Sequence, residues 1–190
     1  QSFLNGKFPT ECQGCKRLVD QNIVSPAYQE TQGWLSDSNK QAELERILTE
    51  ETALPQMLDI RYSNVCNLKC RTCNPYNSSA IQAEYNKIND TVDVVKFHTG
   101  QVKQKYNHVF PTVDKNLFRL YFAGGEPLVE QYNLDFLKSW QDTSTEIIIN
   151  TNHTVQSAEV LGLFAKFNNI TLNVSIDATG KLNDYIRHGS

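Results

Sequence analysis

The sequence predicts an α/β protein built on a parallel sheet. Two observations carry this prediction: short runs of alternating or β-branched apolar residues, and amphipathic helical segments between them. Four such runs follow an irregular, cysteine-containing N-terminal segment. Because strands that alternate with helices form right-handed βαβ units, we expect the four strands to lie parallel in one sheet.

Residues 1–55 are predicted to be an N-terminal extension to a core that spans residues 56–190. Residues 1–33 contain proline and glycine and show little periodicity, so we expect loop with one helical turn near 16–21. A helix is predicted from about 39 to 51, with Asp37 or Ser38 as its cap and a narrow apolar stripe formed by Leu44, Ile47 and Leu48.

The core contributes the regular elements. Strands are predicted at residues 57–62, 117–122, 146–150 and 170–176. Helices are predicted at about 78–88, 128–140 and 157–166. The strand at 146–150 is a near-continuous β-branched run, which is typical of a parallel strand buried on both faces. The polar stretch at 89–111 is predicted to be an irregular insertion.

Composition excludes several classes of function. Eighteen basic and twenty-one acidic residues are spread along the 190-residue chain, with a formal charge of −3 and no basic run that would suit nucleic acid. The longest apolar stretches are too short to span a bilayer, and no signal-like segment opens the chain. We therefore expect a cytoplasmic protein that does not bind nucleic acid or membrane.

The five cysteines stand in two tight clusters, which favours metal ligation over a disulfide framework. Cys66, Cys70 and Cys73 have C-x3-C-x2-C spacing directly after the first predicted strand. Iron–sulfur clusters and structural zinc normally take four protein ligands. Three thiolates therefore either use a distant fourth cysteine or leave one metal position open, to which a small molecule can coordinate.

A second motif, Gly124-Gly125-Glu126-Pro127, ends the second predicted strand. Glycines lack a Cβ atom, so their backbone can approach a ligand closely and adopt positive φ. Glu126 can accept from a ligand ammonium group or fix the loop, and Pro127 makes the exit from the turn rigid. The alternative is an ordinary turn at the end of a strand.

Found in this order, the two motifs resemble the radical S-adenosylmethionine (radical SAM) superfamily over about residues 58–189. The resemblance implies a partial (β/α)6 barrel whose first four βα units are present here. Strands five and six would then lie beyond Ser190, and the sequence would be a fragment of a longer protein.

The same resemblance implies the chemistry. Cys66, Cys70 and Cys73 would hold a [4Fe-4S] cluster, and the methionyl amino and carboxylate groups of S-adenosylmethionine (SAM) would chelate its open iron. One electron would cleave the carbon–sulfur bond, giving a 5′-deoxyadenosyl radical that abstracts a substrate hydrogen. The hard chemistry belongs to the cofactor, so no side chain of the chain is assigned a catalytic role.

Further cofactor-binding positions follow from the resemblance. Gly124 to Pro127 would contact the methionine end of SAM. Asn152, Ser175 and Asp177 follow later strands and would contact the ribose or the methionyl carboxylate; alternatively, Ser175 faces the core and Asp177 caps the next turn. Arg187 resembles an arginine that binds the cofactor carboxylate, although a solvated surface side chain is the expectation. Thr72 stands where the family often has an aromatic residue beside adenine.

Cys12 and Cys15 resemble part of the auxiliary-cluster region of SPASM and twitch radical SAM proteins, displaced here to precede the barrel. Two thiolates cannot close a cluster, so the other ligands lie elsewhere, or the pair binds zinc, or it is an inert turn. An auxiliary cluster would imply peptide or protein modification. The resemblance to radical SAM enzymes also implies an electron donor such as flavodoxin or ferredoxin. The competing hypothesis is a non-enzymatic zinc-binding interaction module that uses Cys12, Cys15 and two later cysteines.

Overall fold

The computed structural model describes residues 8–49, 56–88 and 117–189. The chain divides into two compact units, Gln1–Ala53 and Leu54–Ser190. The predicted insertion at 89–111 lies outside the described residues. In the part of the chain that the structure describes, no helix is both long and apolar enough to cross a bilayer.

The N-terminal unit is helical. A 3-10 turn at Thr10–Cys12 leads into α1 (Gln13–Asp20), α2 (Pro26–Leu35) and α3 (Ser38–Thr49). The helix predicted at 39–51 is confirmed as far as Thr49, as α3, with the Asp37 side chain accepting from the Lys40 N–H at 3.4 Å. Residues 50–51 and the side chains of the predicted apolar stripe, Leu44, Ile47 and Leu48, lie outside the described residues. The prediction of loop with one helical turn falls partly on residues 1–7, which lie outside the described residues. From residue 8 onward, the helical turn expected near 16–21 lies within α1, and the loop expected elsewhere is wrong where α1 and α2 form. Pro26 starts α2 at the first helical position, where a missing N–H costs nothing, and does not act as a helix breaker.

The second unit is built on a parallel sheet, as predicted. Its four strands lie side by side in chain order and all pair in parallel. They are β1 (Met57–Ile60), β3 (Arg119–Phe122), β4 (Glu146–Thr151) and β5 (Ile170–Val174). Among the described residues of this unit, the helices are α4 (Ser79–Ile88), α5 (Gln131–Ser139), α6 (Ala158–Lys166) and α7 (Gly180–Ile186). That this sheet belongs to a partial (β/α)6 barrel stays a prediction.

One face of the sheet forms the core. Leu120, Phe122, Ile147 and Ile149 are buried there against side chains of α5 and α6, including Leu134, Leu137, Val160 and Leu163. The opposite face carries polar side chains such as Arg119 and Glu146, whose Nε and Oε2 lie 2.6 Å apart. The prediction that β4 is buried on both faces is therefore wrong, because its residues alternate between buried and half-buried.

A second, two-stranded sheet was not predicted. Lys69–Cys70 forms β2 and Arg187–His188 forms β6, and the two pair antiparallel, with Cys70 opposite Arg187. Two-residue strands carry no periodicity that a sequence could show. The pairing places the cysteine loop next to the segment that follows α7.

Helix α6 offers a matched test of the core. Leu163 is 6% exposed and Leu161, two residues away on the same helix, is 55% exposed. Leu163→Ala should lower the free energy of unfolding by about 2–5 kcal/mol, because it removes buried methyl groups and leaves a cavity. Leu161→Ala should change it by less than about 0.5 kcal/mol. Urea unfolding of both variants tests this, and equal effects would contradict the assignment of the α6 core face.

Candidate functional site

The cysteine loop, residues 61–78, connects β1 to α4 and is held by its own polar contacts. Asn64 is 4% exposed, and its side-chain amide donates to the Pro75 carbonyl at 2.9 Å and to Gln82 Oε1 at 3.0 Å. Ser78 Oγ donates to the Leu68 carbonyl at 3.0 Å. These bonds satisfy buried backbone carbonyls that a loop would otherwise leave unpaired. The three thiols are thus carried by an ordered loop.

The glycine pair after β3 packs against this loop. The Gly125 N–H donates to the Ser63 carbonyl at 3.2 Å, and the Glu126 N–H donates to the Val65 carbonyl at 2.7 Å. A Cβ atom on Gly125 would lie 2.1 Å from the Val65 carbonyl oxygen, and Gly124 has φ +118°. Both residues must therefore be glycine for the two loops to meet.

The structure corrects the φ angle expected at one glycine and adds a contact that was not predicted. Positive φ was expected at both glycines and occurs at Gly124 only. Close backbone approach was attributed to a ligand, whereas Gly125 approaches the backbone of Asn64 and Val65, immediately before Cys66. The glycines line the cavity as well, so the pair shapes the site partly by positioning the cysteine loop.

Glu126 connects this loop to the end of β4. It is 1% exposed, and its carboxylate accepts from the Leu128 N–H at 3.1 Å, the Thr151 hydroxyl at 2.7 Å and the Asn152 N–H at 2.7 Å. Three donors stabilise a buried carboxylate that would otherwise be costly. Of the two roles expected for Glu126, the structure shows the contacts that fix the loop.

The carboxyl ends of the four parallel strands surround a cavity of about 370 Å³. Cys66, Cys70 and Cys73 are half-buried and all line it. Other predicted positions that line it are Thr72, Gly124, Gly125, Glu126, Asn152, Ser175 and Arg187. Two predicted positions do not: Pro127 is buried, its carbonyl accepting from Asn133 Nδ2 at 3.1 Å, and Asp177 faces Arg187.

The sequence did not single out Arg61 or Tyr121, which also line the cavity. Tyr121 accepts from Asn150 Nδ2, and Asn150 Oδ1 accepts from Asn173 Nδ2 at 2.8 Å. This chain of hydrogen bonds crosses β3, β4 and β5 on the polar face of the sheet. The available clue was the alternation along β3 and β4, in which Tyr121 and Asn150 each stand between two buried neighbours and so belong to the opposite face.

Arg187 is not the solvated surface residue that was expected. Its side chain is 17% exposed, and its Nη1 donates to Cys70 Sγ at 3.9 Å. The expectation was wrong because the β2–β6 pairing, which places Arg187 beside Cys70, has no sequence pattern. Burial raises the pKa of the Cys66 and Cys70 thiols, and at Cys70 the Arg187 guanidinium opposes that rise.

Cys12 and Cys15 belong to the N-terminal unit. Cys12 ends the 3-10 turn and is half-buried, and Cys15 lies exposed in the first turn of α1. Within residues 8–49, 56–88 and 117–189, no group of three or more His, Cys, Asp or Glu side chains is arranged to hold a single metal ion. An auxiliary site at this pair stays a prediction.

Fold and site together define an α/β protein with a thiol-lined cavity at the carboxyl edge of a parallel sheet. No protein-family model matches the sequence, and no curated protein matches it. Among solved structures, the chain is similar to Streptococcus suis SuiB bound to S-adenosylmethionine (19% identity, TM-score 0.49) and to SuiB bound to precursor peptide SuiA (18%, 0.48). The matches cover 93% of this chain but only 37% and 38% of the SuiB chains.

The glycine contact gives a testable prediction. Gly125→Ala should lower the free energy of unfolding by about 1–3 kcal/mol, because the added Cβ must push the Val65 carbonyl away. Gly162→Ala, in α6 with no atom within 4 Å of the new Cβ, should instead stabilise by about 0.5–1 kcal/mol. Urea unfolding compares the two variants. A Gly125→Ala variant as stable as the unmodified chain would contradict the close packing of the two loops.

The Glu126 carboxylate can be tested through Thr151. Glu126→Gln and Thr151→Val should be coupled by about 0.5–3 kcal/mol in a double-mutant cycle, because the first replaces the charged acceptor of this buried hydrogen bond with a neutral amide and the second removes its donor. The control cycle pairs Glu126→Gln with Ser144→Ala, at an exposed serine whose hydroxyl bonds Asp142. Its coupling should stay within about 0.5 kcal/mol. Equal coupling in both cycles would mean that the hydrogen bond contributes nothing specific.

Proposed function

We propose that this chain carries the cluster-binding core of a radical SAM enzyme. In this proposal Cys66, Cys70 and Cys73 hold a [4Fe-4S] cluster and SAM binds beside it. The observation that carries the proposal is the cavity. It is lined by three half-buried thiols of one ordered loop and by the glycine pair that packs on that loop.

The donor set fits an iron–sulfur cluster with one open iron. Thiolates are the usual protein ligands of such clusters, and this cavity presents three of them. Each thiolate of a cubane binds a different iron. A single tetrahedral zinc ion, with bonds of about 2.3 Å, would instead hold its thiolates roughly 4 Å apart. A cavity of about 370 Å³ lies within the usual range for small-molecule sites.

The remaining lining suits the polar parts of SAM. Asn152 and Ser175 offer amide and hydroxyl groups that can bond sugar hydroxyls or a carboxylate. Glu126 keeps the Asn152 backbone in place through its own hydrogen bond. When bound, the cluster would supply the electron that splits the carbon–sulfur bond of SAM. The residues of the chain bind, orient and shield the reactants.

The finer assignments extend the same proposal. A peptide or protein substrate, an auxiliary cluster that uses Cys12 and Cys15, and an external electron donor such as flavodoxin or ferredoxin all follow from the resemblance of the motifs. They do not affect the test of the core proposal, which concerns only the three cysteines of one loop.

Metal analysis tests the proposal. The chain, purified or reconstituted without oxygen, should bind about four irons and equivalent sulfide at this loop. Cys73→Ala should lose these irons and the cleavage of SAM, because the cluster would keep only two of its three thiolates. Tyr76→Ala, at a 54% exposed residue of the same loop that does not line the cavity, should retain them.

Two outcomes would contradict the proposal. One is a colourless protein that holds a single zinc ion through cysteines, which is the result expected for the zinc-binding module. The other is a Cys73→Ala variant that cleaves SAM as fast as the unmodified chain.

A further inference from the structure

The β2–β6 pairing places a cation against the cysteine loop. Cys70 and Arg187 are opposite each other in the antiparallel register, although they are 117 positions apart in the sequence. The Arg71 N–H donates to the Ile186 carbonyl at 2.8 Å and continues the pairing beyond the two-residue strands. Backbone hydrogen bonds therefore fix the distance between β6 and one of the three thiols.

The Arg187 guanidinium lies between a thiol and a carboxylate. Its Nη1 is 3.9 Å from Cys70 Sγ, and its Nε is 2.7 Å from Asp177 Oδ2. The Nε is buried and makes no linear hydrogen bond, so the contact with Asp177 is an ion pair in character. A guanidinium is planar and permanently charged, so this arrangement keeps a positive charge beside Cys70.

The second arginine of the region has a different environment. Arg71 follows Cys70 directly, but its guanidinium carbon stacks 4.0 Å from the centre of the Tyr185 ring, and its Nε donates to the Tyr185 carbonyl at 2.9 Å. It is also exposed. Among the hydrogen bonds of the described residues, Arg187 contacts the Cys70 sulfur and Arg71 does not.

A positive charge at a ligand sulfur acts on electron transfer. When a cluster accepts one electron its net charge becomes more negative, and part of that charge resides on the ligand sulfurs. Net charge and hydrogen bonds to the sulfurs are among the factors that set the potential of iron–sulfur clusters. A guanidinium near Cys70 favours the reduced state, and the Asp177 carboxylate behind it partly cancels the effect.

We infer that Arg187 is a positioning residue that acts through Cys70 to raise the reduction potential of the cluster, and that Asp177 moderates this effect. The inference rests on the proposed function, since it requires a cluster at Cys66, Cys70 and Cys73. The motif resemblance implied that both residues contact SAM, whereas this inference gives them a role that acts on the cluster.

The test is a redox titration of the reconstituted 190-residue chain without SAM, with dithionite as the one-electron donor and the spectrum of the reduced cluster as the readout. Arg187→Gln should make the one-electron reduction at least about tenfold less favourable, a shift of about 59 mV to more negative potential. Arg187→Lys should shift it less, because the positive charge remains. Asp177→Asn should shift the potential in the opposite direction.

Arg71→Gln is the matched control. It removes one positive charge next to Cys70 in the sequence but leaves the sulfur contact of Arg187 in place, so its shift should be clearly smaller. Opposite shifts at Arg187 and Asp177 distinguish a charge effect from a structural one, because mere loosening of the loop would move both potentials in the same direction.

Iron content is measured first in every sample. An unmodified chain that takes up no iron would contradict the proposed function itself. If the unmodified chain holds its cluster, an unchanged potential in Arg187→Gln, or an equal shift in Arg71→Gln, would overturn the inference. A variant that keeps its potential but loses SAM affinity would assign Arg187 to the cofactor carboxylate instead. If Arg187→Gln does not retain iron, the Asp177→Asn titration decides, and a shift to more negative potential or none would overturn the inference.

Discussion

Two backbone hydrogen bonds between the glycine pair and the cysteine loop hold the candidate site together. They run from Gly125 to Ser63 and from Glu126 to Val65, and they join the segment after β3 to the segment after β1. The contact is possible only because Gly125 has no Cβ atom, since the Val65 carbonyl occupies that space. The position of Cys66, which follows Val65 directly, depends on this contact.

The remaining parts of the site extend from that contact in two directions. Glu126 connects it to Thr151 and Asn152 at the end of β4, through a carboxylate that is almost fully buried. On the other side of the cysteine loop, β6 pairs with β2 and places Arg187 beside Cys70. The loop that carries the three thiols is therefore held from the sheet side and from the segment after α7.

Sequence patterns predicted the elements that have a period or a cap. The four parallel strands could be predicted because Leu120 and Phe122, or Ile147 and Ile149, alternate with more exposed neighbours. Helix α2 was missed because proline disrupts the interior of a helix but is favoured at its first position. The sequence alone does not show that Pro26 takes the first position. The β2–β6 pair was missed because it depends on two short segments that meet in space.

In the candidate site, too, residues in contiguous motifs could be predicted and isolated residues could not. The spacing of the cysteines and glycines identified the lining residues that come from contiguous motifs, and the structure brings them to one cavity. Arg61 and Tyr121 could not be identified in this way, because each is a single residue outside the two motifs. The sequence shows that Gly125 has no side chain, but it does not show which atom occupies that space. In the structure that atom is the Val65 carbonyl oxygen.

The long separation across the β2–β6 pair has a consequence for how the chain folds. We expect the contact between Cys70 and Arg187, 117 positions apart, to form late, since loop closure costs entropy before the contact contributes any stability. The cysteine loop therefore reaches its final shape only after most of the second unit is in place. Until then, three thiols lie close together on an open segment, where they are accessible to oxidants and to one another. We therefore expect this chain to need a reducing environment in order to fold, independently of any activity.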